Sequence, residues 1–217
     1  MFELVEEGRE KASTHMMRDR EMLEQGSMLP LLTFYQWDSF CITYGLFAHP
    51  ENFLNMDFCK KEGIEVVQRP TGGGIFFHEC DFPFSLFFPE EYTHSFESIW
   101  KGIQKSLVSL VCDFLSETPD AEYPSLPIEG RFCQAGIHGC DFVWGGKKFG
   151  GAAFRKSKKG ILCQASLFCS PFSWDKSALF VKQPCVLHMM KHVSMCLEED
   201  IKTELQDRIT LAVEENL

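Results

Sequence analysis

"RPTGGGIFFHECDFPFSLFF", residues 69–88, places three consecutive glycines between two stretches that both have the composition of a β-strand. The stretch "IEVVQ" (64–68), before the glycines, and the stretch "IFFH" (75–78), directly after them, are rich in β-branched and aromatic side chains, as strands are. A Walker loop needs G-x-x-x-x-G-K-[ST], and a dinucleotide-binding loop needs G-x-G-x-x-G leading into a helix. Neither pattern fits, because a strand follows the glycines. The stretch therefore predicts a strand-to-strand loop without side chains, over which a ligand can pass close to the backbone.

Outward from this loop, strands and helices are predicted without a regular alternation. Further strands are expected in "LPLLTFYQW", "FCITYGLF" and "KGILCQASLFC", and helices over residues 10–25, 95–115 and 198–215 and in "NMDFCKKEG". The helix over residues 95–115 has the strongest pattern, since Ile99, Ile103, Leu107 and Leu110 recur at helical spacing. Such a mixture favours an α+β domain over a doubly wound one.

Composition excludes several classes of protein. The 217 residues are enough for one domain with a substantial core, and no apolar run is long enough to span a membrane. A net charge of −10 argues against nucleic-acid binding, which needs a positive surface. Ten cysteines include no C-x-x-C pair, so most are expected to be small buried residues in a reducing cytosol. We therefore expect a cytoplasmic protein with no metal site and no membrane partner.

A second stretch that suggests a functional site is "GGKKFGGAAF", residues 145–154. Gly145 and Gly146 predict a two-residue hairpin turn between strand-like arms. Side chains alternate along a strand, so one of Lys147 and Lys148 is expected to face inward and the other to face solvent. Small residues follow at positions 150–153 and leave room for a ligand against the inward ammonium.

Together and in this order, five segments resemble the lipoate–protein ligase and octanoyltransferase superfamily, which shares its catalytic fold with biotin ligases. The segments are "FYQW" (34–37), "RPTGGGIFFH" (69–78), "FSLFF" (84–88), "CD" (140–141) and "GKKFGGAA" (146–153). The resemblance covers roughly residues 10–190. It implies one biotin/lipoate ligase-like catalytic domain over residues 1–217, with a mixed, mostly antiparallel sheet flanked by helices. A helix over about 198–215 would follow that core, without a C-terminal accessory domain.

The resemblance also implies roles for individual residues. Lys148 matches the catalytic lysine, whose ammonium would bind the acyl carboxylate and the α-phosphate of an acyl-adenylate. Arg69 and His78 match the polar ends of the glycine motif, and the glycines would lie against the acyl tail and the adenylate. The residues implied to bind the acyl-adenylate are Arg69, Gly72, Gly73, Gly74, His78, Asp141, Gly150, Gly151, Ala152 and Ala153.

The leading functional interpretation is a lipoate–protein ligase. Such an enzyme activates lipoate or octanoate with ATP and Mg²⁺, and then acylates a lysine of a lipoyl domain. The acceptor would belong to the E2 subunit of a 2-oxoacid dehydrogenase or be the glycine cleavage H protein, and a separate accessory domain protein could assist.

The alternative is an octanoyltransferase, which takes the acyl group from acyl carrier protein through a cysteine thioester. The candidate nucleophiles are Cys185, Cys140 and Cys163, although packing is the ordinary role of each. A non-catalytic relative that binds lipoate or lipoyl domains is a third possibility. It is suggested by Cys140 at a usual asparagine position, and by "CQAS" (163–166) where the family has a stretch containing histidine and glycine.

Overall fold

The computed structural model describes residues 1–79, 81–115, 133, 140–169, 181–182, 197 and 201–217. The strands are β1 (Glu3–Glu10), β2 (Leu31–Trp37), β3 (Cys41–Tyr44), β4 (Glu65–Gln68), β5 (Ile75–His78), β6 (Asp81–Pro89), β7 (Phe142–Trp144), β8 (Lys147–Lys156) and β9 (Gly160–Phe168). The helices are α1 (Ala12–Gln25), α2 (Met56–Lys61), α3 (Phe96–Leu115) and α4 (Lys202–Asn216). Within this part of the chain, no helix is both long and apolar enough to cross a membrane.

The strands form two sheets. A six-stranded sheet has the order β1-β2-β6-β9-β8-β7, and a three-stranded sheet has the order β4-β3-β5. The pairs β1–β2 and β3–β4 are parallel, whereas the remaining pairs are antiparallel. The predicted α+β class with a mixed, mostly antiparallel arrangement is therefore confirmed, with the strands divided between two sheets.

The main core lies between the six-stranded sheet and the helices α3 and α4. The predicted apolar positions of α3, Ile99, Ile103, Leu107 and Leu110, are all buried in it. From α4, Leu205, Ile209 and Ala212 join the same cluster. Burial of each large aliphatic side chain contributes about 1.5–3 kcal/mol, so this layer anchors the sheet that carries the site.

The helices over residues 12–25 and 56–61 also agree with the sequence pattern. Asn55 caps α2, since its side-chain oxygen accepts a hydrogen bond from the Phe58 N–H at 3.1 Å. In α1, Met16 and Leu23 are buried, but Met17 is 53% exposed. Met17 follows the buried Met16 yet faces solvent, because one residue rotates the side chain by about 100° around the helix axis.

β1 was not expected from the sequence. Its residues, "ELVEEGRE", are mostly charged and show no alternation of polar and apolar side chains. The strand lies at the edge of the large sheet, pairs in parallel with β2 and is largely exposed. Edge strands tolerate charge on both faces, and for this reason the usual burial pattern is missing.

The glycine triplet lies in the loop between β4 and β5, so the predicted strand-to-strand loop is confirmed. Both strands pair with β3, one on each side, and the loop crosses over the end of β3. Two backbone hydrogen bonds hold it there, from Gly45 N–H to Gly74 O and from Leu46 N–H to Thr71 O. The loop is therefore fixed at both ends and in the middle, as a rigid wall of a binding site must be.

Candidate active site

A cavity of about 440 Å³ lies between the glycine loop and the strands β2, β5, β8 and β9. Its volume is in the range of small-molecule sites. Most of the predicted site residues contact it. The contacting ones are Arg69, Gly72, Gly73, Gly74, His78, Asp141, Lys148, Gly151, Ala152 and Ala153. Gly150 is not among them, since a side chain there would point at Leu167 and the Ser166 carbonyl.

Lys148 is the inward lysine of the hairpin. Lys147 is exposed, whereas Lys148 is 1% exposed, so the predicted division between the two lysines is confirmed. A β-bulge contributes to this geometry, because Phe142 pairs with Gly150 while Val143 pairs with Lys148. Bulges re-aim side chains next to functional sites. Here the bulge lies directly beside the residue that turns into the cavity.

The ammonium of Lys148 forms a buried ion pair. Its Nζ lies 2.8 Å from Asp141 Oδ2 and donates to the Cys133 carbonyl oxygen at 2.7 Å. Helix α3 helps to hold Asp141, since Gln104 Nε2 donates to the Asp141 carbonyl oxygen at 3.1 Å. A Cβ atom on Gly151 would stand 2.8 Å from Asp141 Oδ1 and 3.0 Å from Lys148 Nζ. The small residue at position 151 therefore makes room for the ion pair itself.

Arg69 organises the glycine loop from inside. The side chain is 6% exposed, and its Nε and Nη2 donate to the Gly72 carbonyl oxygen at 3.0 and 2.8 Å. Nη2 also donates to the Gly74 carbonyl oxygen at 2.9 Å. Gly73 lies between them with φ +89°, and a Cβ atom there would stand 2.5 Å from Arg69 Nη2. Glycine is required at position 73 by both the backbone angle and the guanidinium.

His78 is held by protein partners on both ring nitrogens. Its Nδ1 is 2.7 Å from Asp81 Oδ2, and its Nε2 is 2.8 Å from Thr43 Oγ1. Burial alone would raise the pKa of Asp81. The charge and hydrogen bond of His78, with hydrogen bonds from Ser166 and Trp37, outweigh that effect and hold this pKa below its ordinary value. Asp81 is therefore a carboxylate, and His78 Nδ1 carries a proton that it donates to Asp81.

A second buried chain reaches the glycine loop from α1. Thr71 Oγ1 donates to Gln164 Oε1 at 2.6 Å, and Gln164 Nε2 donates to Asp19 Oδ2 at 2.7 Å. Ser85 Oγ donates to the other oxygen of Asp19 at 2.9 Å. Burial raises the pKa of Asp19 to about 6, against the opposing effect of these hydrogen bonds. Gln164, from the divergent "CQAS" stretch, thus holds the loop and lines the cavity.

Cys133 is the site residue that the sequence did not indicate. Its sulfur accepts hydrogen bonds from the Gly74 N–H at 3.1 Å and from Arg69 Nη2 at 3.4 Å, and it lines the cavity. The surrounding residues, "RFCQAG", match none of the motifs that carry the resemblance. The only sequence signal for Cys133 is its position. It lies shortly before the hairpin that carries Asp141 and Lys148, in a stretch whose sequence shows no strand or helix pattern.

The cysteines that the sequence suggested as nucleophiles are less well placed. Cys163 is wholly buried in the main core, and burial raises the pKa of its thiol well above the ordinary value. Cys140 contacts the cavity, but its Sγ donates to the Ala152 carbonyl oxygen at 3.2 Å. Burial, followed by the charge of Asp141, raises the pKa of the Cys140 thiol. Cys185 lies outside the described residues.

Much of the cavity wall is apolar. Met16 from α1, Tyr35 and Trp37 from β2, Phe76 from β5 and Phe154 from β8 contribute to its walls. Burial of a hydrocarbon chain against such a surface contributes about 0.8 kcal/mol per methylene. The lining of the cavity thus combines a buried ammonium, a thiol and apolar side chains suited to an alkyl chain.

Comparison with known proteins agrees with this geometry. The family profile of the lipoyl protein ligase A/B catalytic domain matches residues 12–205. The octanoyltransferase LipM of Lysinibacillus sphaericus (strain C3-41) is 26% identical over 170 residues, which are 72% of this chain and 61% of that protein. The chain thus spans about three fifths of that relative's length.

Two solved structures show the same fold. One is the bipartite lipoate protein ligase from Thermoplasma acidophilum, studied with its E2 lipoyl domain. It has a TM-score of 0.72 and 20% identity, over 99% of this chain and 83% of that one. The other is a lipoate-protein ligase A bound with ATP, with a TM-score of 0.66 and 21% identity, over 99% of this chain and 85% of that one.

Proposed function

The chain belongs to the lipoyl protein ligase A/B catalytic domain family, and on that premise we propose that it is an octanoyltransferase that works through a thioester on Cys133. The octanoyl group would come from acyl carrier protein and go to a lysine of a lipoyl domain. The curated relatives named octanoyltransferase LipM support acyl transfer. This proposal prefers the second interpretation of the sequence to the ATP-dependent ligase, and moves the nucleophile to Cys133.

The observation that carries the proposal is the surrounding of the Cys133 sulfur. The thiolate is the nucleophilic form of cysteine, and nucleophilic cysteines lie in electropositive, accessible surroundings. Here a backbone N–H and a guanidinium donate to the sulfur, and the Lys148 ammonium donates to the carbonyl oxygen of the same residue. Cys133 also lines a cavity whose wall includes several apolar side chains. No other described cysteine combines hydrogen-bond donors at its sulfur with a place in this cavity.

The proposed reaction has two steps. In the first, the Cys133 thiolate attacks the carbonyl carbon of the carrier thioester, the bond from that carbon to the carrier sulfur breaks, and the carrier leaves as a thiolate. In the second, the amine of an acceptor lysine attacks the Cys133 thioester. An amide forms, and Cys133 is released as a thiol with the proton that the amine loses.

Lys148 contributes positive charge to both steps. Each step passes through a tetrahedral species whose oxygen is negative, and a fixed cation beside that oxygen lowers its energy. Asp141 keeps the ammonium in place, and the water-excluding walls around the pair strengthen its effect. Loss of one such preorganised donor typically costs about 3–4 kcal/mol in the transition state.

The placement of Arg69 also favours transfer over adenylation. The sequence suggested that its guanidinium contacts phosphate, but in this loop it already donates to two carbonyl oxygens, to Thr43 and to Cys133. In that arrangement it serves the loop and the sulfur. ATP with Mg²⁺ and free lipoate remain the co-substrates of the ligase alternative, and they form one arm of the test below.

The proposed reaction also implies the partners and the cellular compartment of the protein. The acceptor is a lipoyl domain, of an E2 subunit or of the glycine cleavage H protein, and the donor is acyl carrier protein. One catalytic domain over residues 1–217 would carry both steps. A free thiol as nucleophile needs a reducing compartment, so we place the protein in the cytoplasm.

Intact-mass spectrometry of the protein mixed with octanoyl-acyl carrier protein, without ATP, tests this function. We expect one octanoyl group on the enzyme, removable by hydroxylamine, and its transfer to a lipoyl domain. Cys133→Ser is expected to abolish the adduct, and Cys140→Ser, its neighbour on the cavity wall, to retain it. An adduct that survives Cys133→Ser would refute the assignment.

Two further arms separate the alternatives. ATP–pyrophosphate exchange that depends on lipoate or octanoate would establish the ligase instead. Saturable lipoate binding with neither exchange nor transfer would indicate the non-catalytic relative.

A further inference from the structure

Arg69 carries a buried positive charge, and within the described part of the chain no carboxylate pairs with it. A buried charge without a counter-charge costs several kcal/mol. Its hydrogen-bond acceptors are two backbone carbonyls, the Thr43 hydroxyl and the Cys133 sulfur. Of these four, the sulfur is the only group that can carry negative charge. The guanidinium therefore faces the one acceptor at which a counter-charge can form.

Besides the loop carbonyls, a line of three side chains holds the guanidinium. Arg69 Nη1 donates to Thr43 Oγ1 at 3.2 Å, whereas the bond to Cys133 comes from Nη2. Thr43 Oγ1 is 2.8 Å from His78 Nε2, and His78 Nδ1 is 2.7 Å from Asp81 Oδ2. The result is an unbroken line of hydrogen bonds from a buried carboxylate to the sulfur.

Each contact in this line has a donor and an acceptor. The guanidinium can only donate, so Thr43 Oγ1 accepts from Arg69 Nη1. The carboxylate of Asp81 accepts from His78 Nδ1. His78 Nε2 meets Thr43 Oγ1 in either form of the ring, since it accepts the hydroxyl proton when the ring is neutral and donates to the oxygen when the ring is charged. Breaking any of these contacts would cost a buried hydrogen bond.

We propose that Thr43, His78 and Asp81 are positioning residues that aim the Arg69 guanidinium at the Cys133 sulfur and thereby make this thiol reactive. The inference rests on the proposed function, in which Cys133 accepts the acyl group. It also assigns to His78 a role through Thr43 and Arg69, in place of the direct contact with an acyl-adenylate that the resemblance implied.

Other charged groups also face Cys133. Lys148 and Asp141, at the start of β8 and just before β7, form an ion pair whose ammonium donates to the Cys133 carbonyl oxygen and not to its sulfur. Cys140 is a neighbouring thiol whose pKa is raised first by burial and then by the charges of Asp141 and Cys133. Arg69 is the one described cation that donates to the sulfur, so a change at Thr43 acts on that contact first.

The test measures the reactivity of Cys133 directly. The wild type and variants are alkylated with iodoacetamide across a pH series, and Cys133 is followed by peptide mass spectrometry because the chain has ten cysteines. We expect Thr43→Val to raise the midpoint of the rate profile, because the guanidinium is then no longer held against the sulfur. The rate at neutral pH should fall by up to about tenfold. Thr43→Ser keeps the hydroxyl and should retain the wild-type midpoint.

Matched controls protect the interpretation. Thr33→Val removes another buried threonine hydroxyl, on β2 and outside the cavity wall, and should leave the midpoint unchanged. Thermal unfolding verifies that each variant is folded. If Thr43→Val does not fold, His78→Gln supplies the same measurement, since it breaks the link to Asp81. With octanoyl donor, kcat is expected to fall more than KM rises, because the change acts on the nucleophile and alters only one contact of the cavity wall.

The outcomes distinguish this inference from the proposed function. An unchanged midpoint in folded Thr43→Val and His78→Gln overturns the positioning chain, even where Cys133 still forms a thioester. An equal shift in Thr43→Ser and Thr43→Val overturns the role of the hydroxyl. By contrast, an enzyme that is acylated normally as Cys133→Ser refutes the proposed function, whatever the alkylation profile shows.

Discussion

Replacement of single glycines in the triplet separates its structural role from its role in the cavity. Gly73 has φ +89°, and a methyl group there would meet Arg69 Nη2 at 2.5 Å, whereas a methyl group on Gly72 would meet no atom within 4 Å. Both residues line the cavity. Alanine at the two neighbouring positions therefore adds the same atoms, in one case against the guanidinium and in the other into open space.

The two variants are expected to differ by several kcal/mol in the free energy of unfolding. For Gly73→Ala, the left-handed backbone costs about 1–2 kcal/mol. Loss of one hydrogen bond from the displaced guanidinium adds about 1.5–3 kcal/mol. Gly72→Ala lies outside the left-handed region and makes no clash, so it should be neutral or gain up to about 1 kcal/mol from the reduced freedom of the unfolded chain.

The two variants should also lose activity in different ways. Gly72→Ala fills part of the cavity, so we expect a higher KM for the octanoyl donor with normal stability. Gly73→Ala moves Arg69 away from Cys133, so we expect slower formation of the acyl-enzyme together with lower stability. Urea unfolding and single-turnover acylation measure the two effects. Equal losses of stability in both variants would show that Gly73 has no special structural role in the loop.

Three other predictions concern the ion pair, the buried carboxylate and the core. Lys148→Met should abolish transfer and cost about 3–5 kcal/mol by removing the buried ammonium from beside the Asp141 carboxylate; Asp141→Asn in the same chain should recover stability but not transfer, and recovery of transfer would contradict a role for the ammonium. Burial raises the pKa of Asp19 to about 6 from 3.8, so its ionisation opposes folding and lowers stability as pH rises through this window. Relative to wild type, Asp19→Asn should therefore gain about 1 kcal/mol between about pH 5 and about pH 7.5 in urea unfolding, and a flat difference would count against it. Leu107→Ala should cost about 2–5 kcal/mol in the same assay, while Leu211→Ala, on the exposed face of α4, should stay within about 0.5 kcal/mol.

Much of the fold could be predicted because its decisive signals are local. The strand that follows the glycines excludes a helix-based phosphate loop, and the pair Gly145–Gly146 fixes a hairpin in which one lysine turns inward. The periodic apolar face of α3 marks the core. β1 could not be found in this way, because a charged edge strand is defined by the neighbour it pairs with and not by its own pattern.

The site was only partly predictable, because its chemistry depends on which residues meet. Lys148 and the glycines belong to motifs, but no motif shows that the Lys148 ammonium meets the Cys133 carbonyl oxygen or that the Gly74 N–H meets the Cys133 sulfur. Arg69 was expected to contact phosphate, a reasonable role for a guanidinium beside a glycine loop. The loop folds over β3 and brings the guanidinium to carbonyl, hydroxyl and sulfur partners that no sequence motif indicates.

Cys133 shows why a nucleophile can escape motif reasoning. A cysteine becomes reactive through the charges and donors around its sulfur, and these come here from residues 69 and 74, some 60 positions earlier in the chain. The cysteines that had a local argument, Cys140 and Cys163, instead have raised pKa values from burial. The glycine triplet thus has a second use besides leaving space for a ligand. The triplet presents the Gly74 N–H and leaves room for the Arg69 guanidinium beside Gly73. Both donors thereby reach the sulfur that we propose to form the thioester.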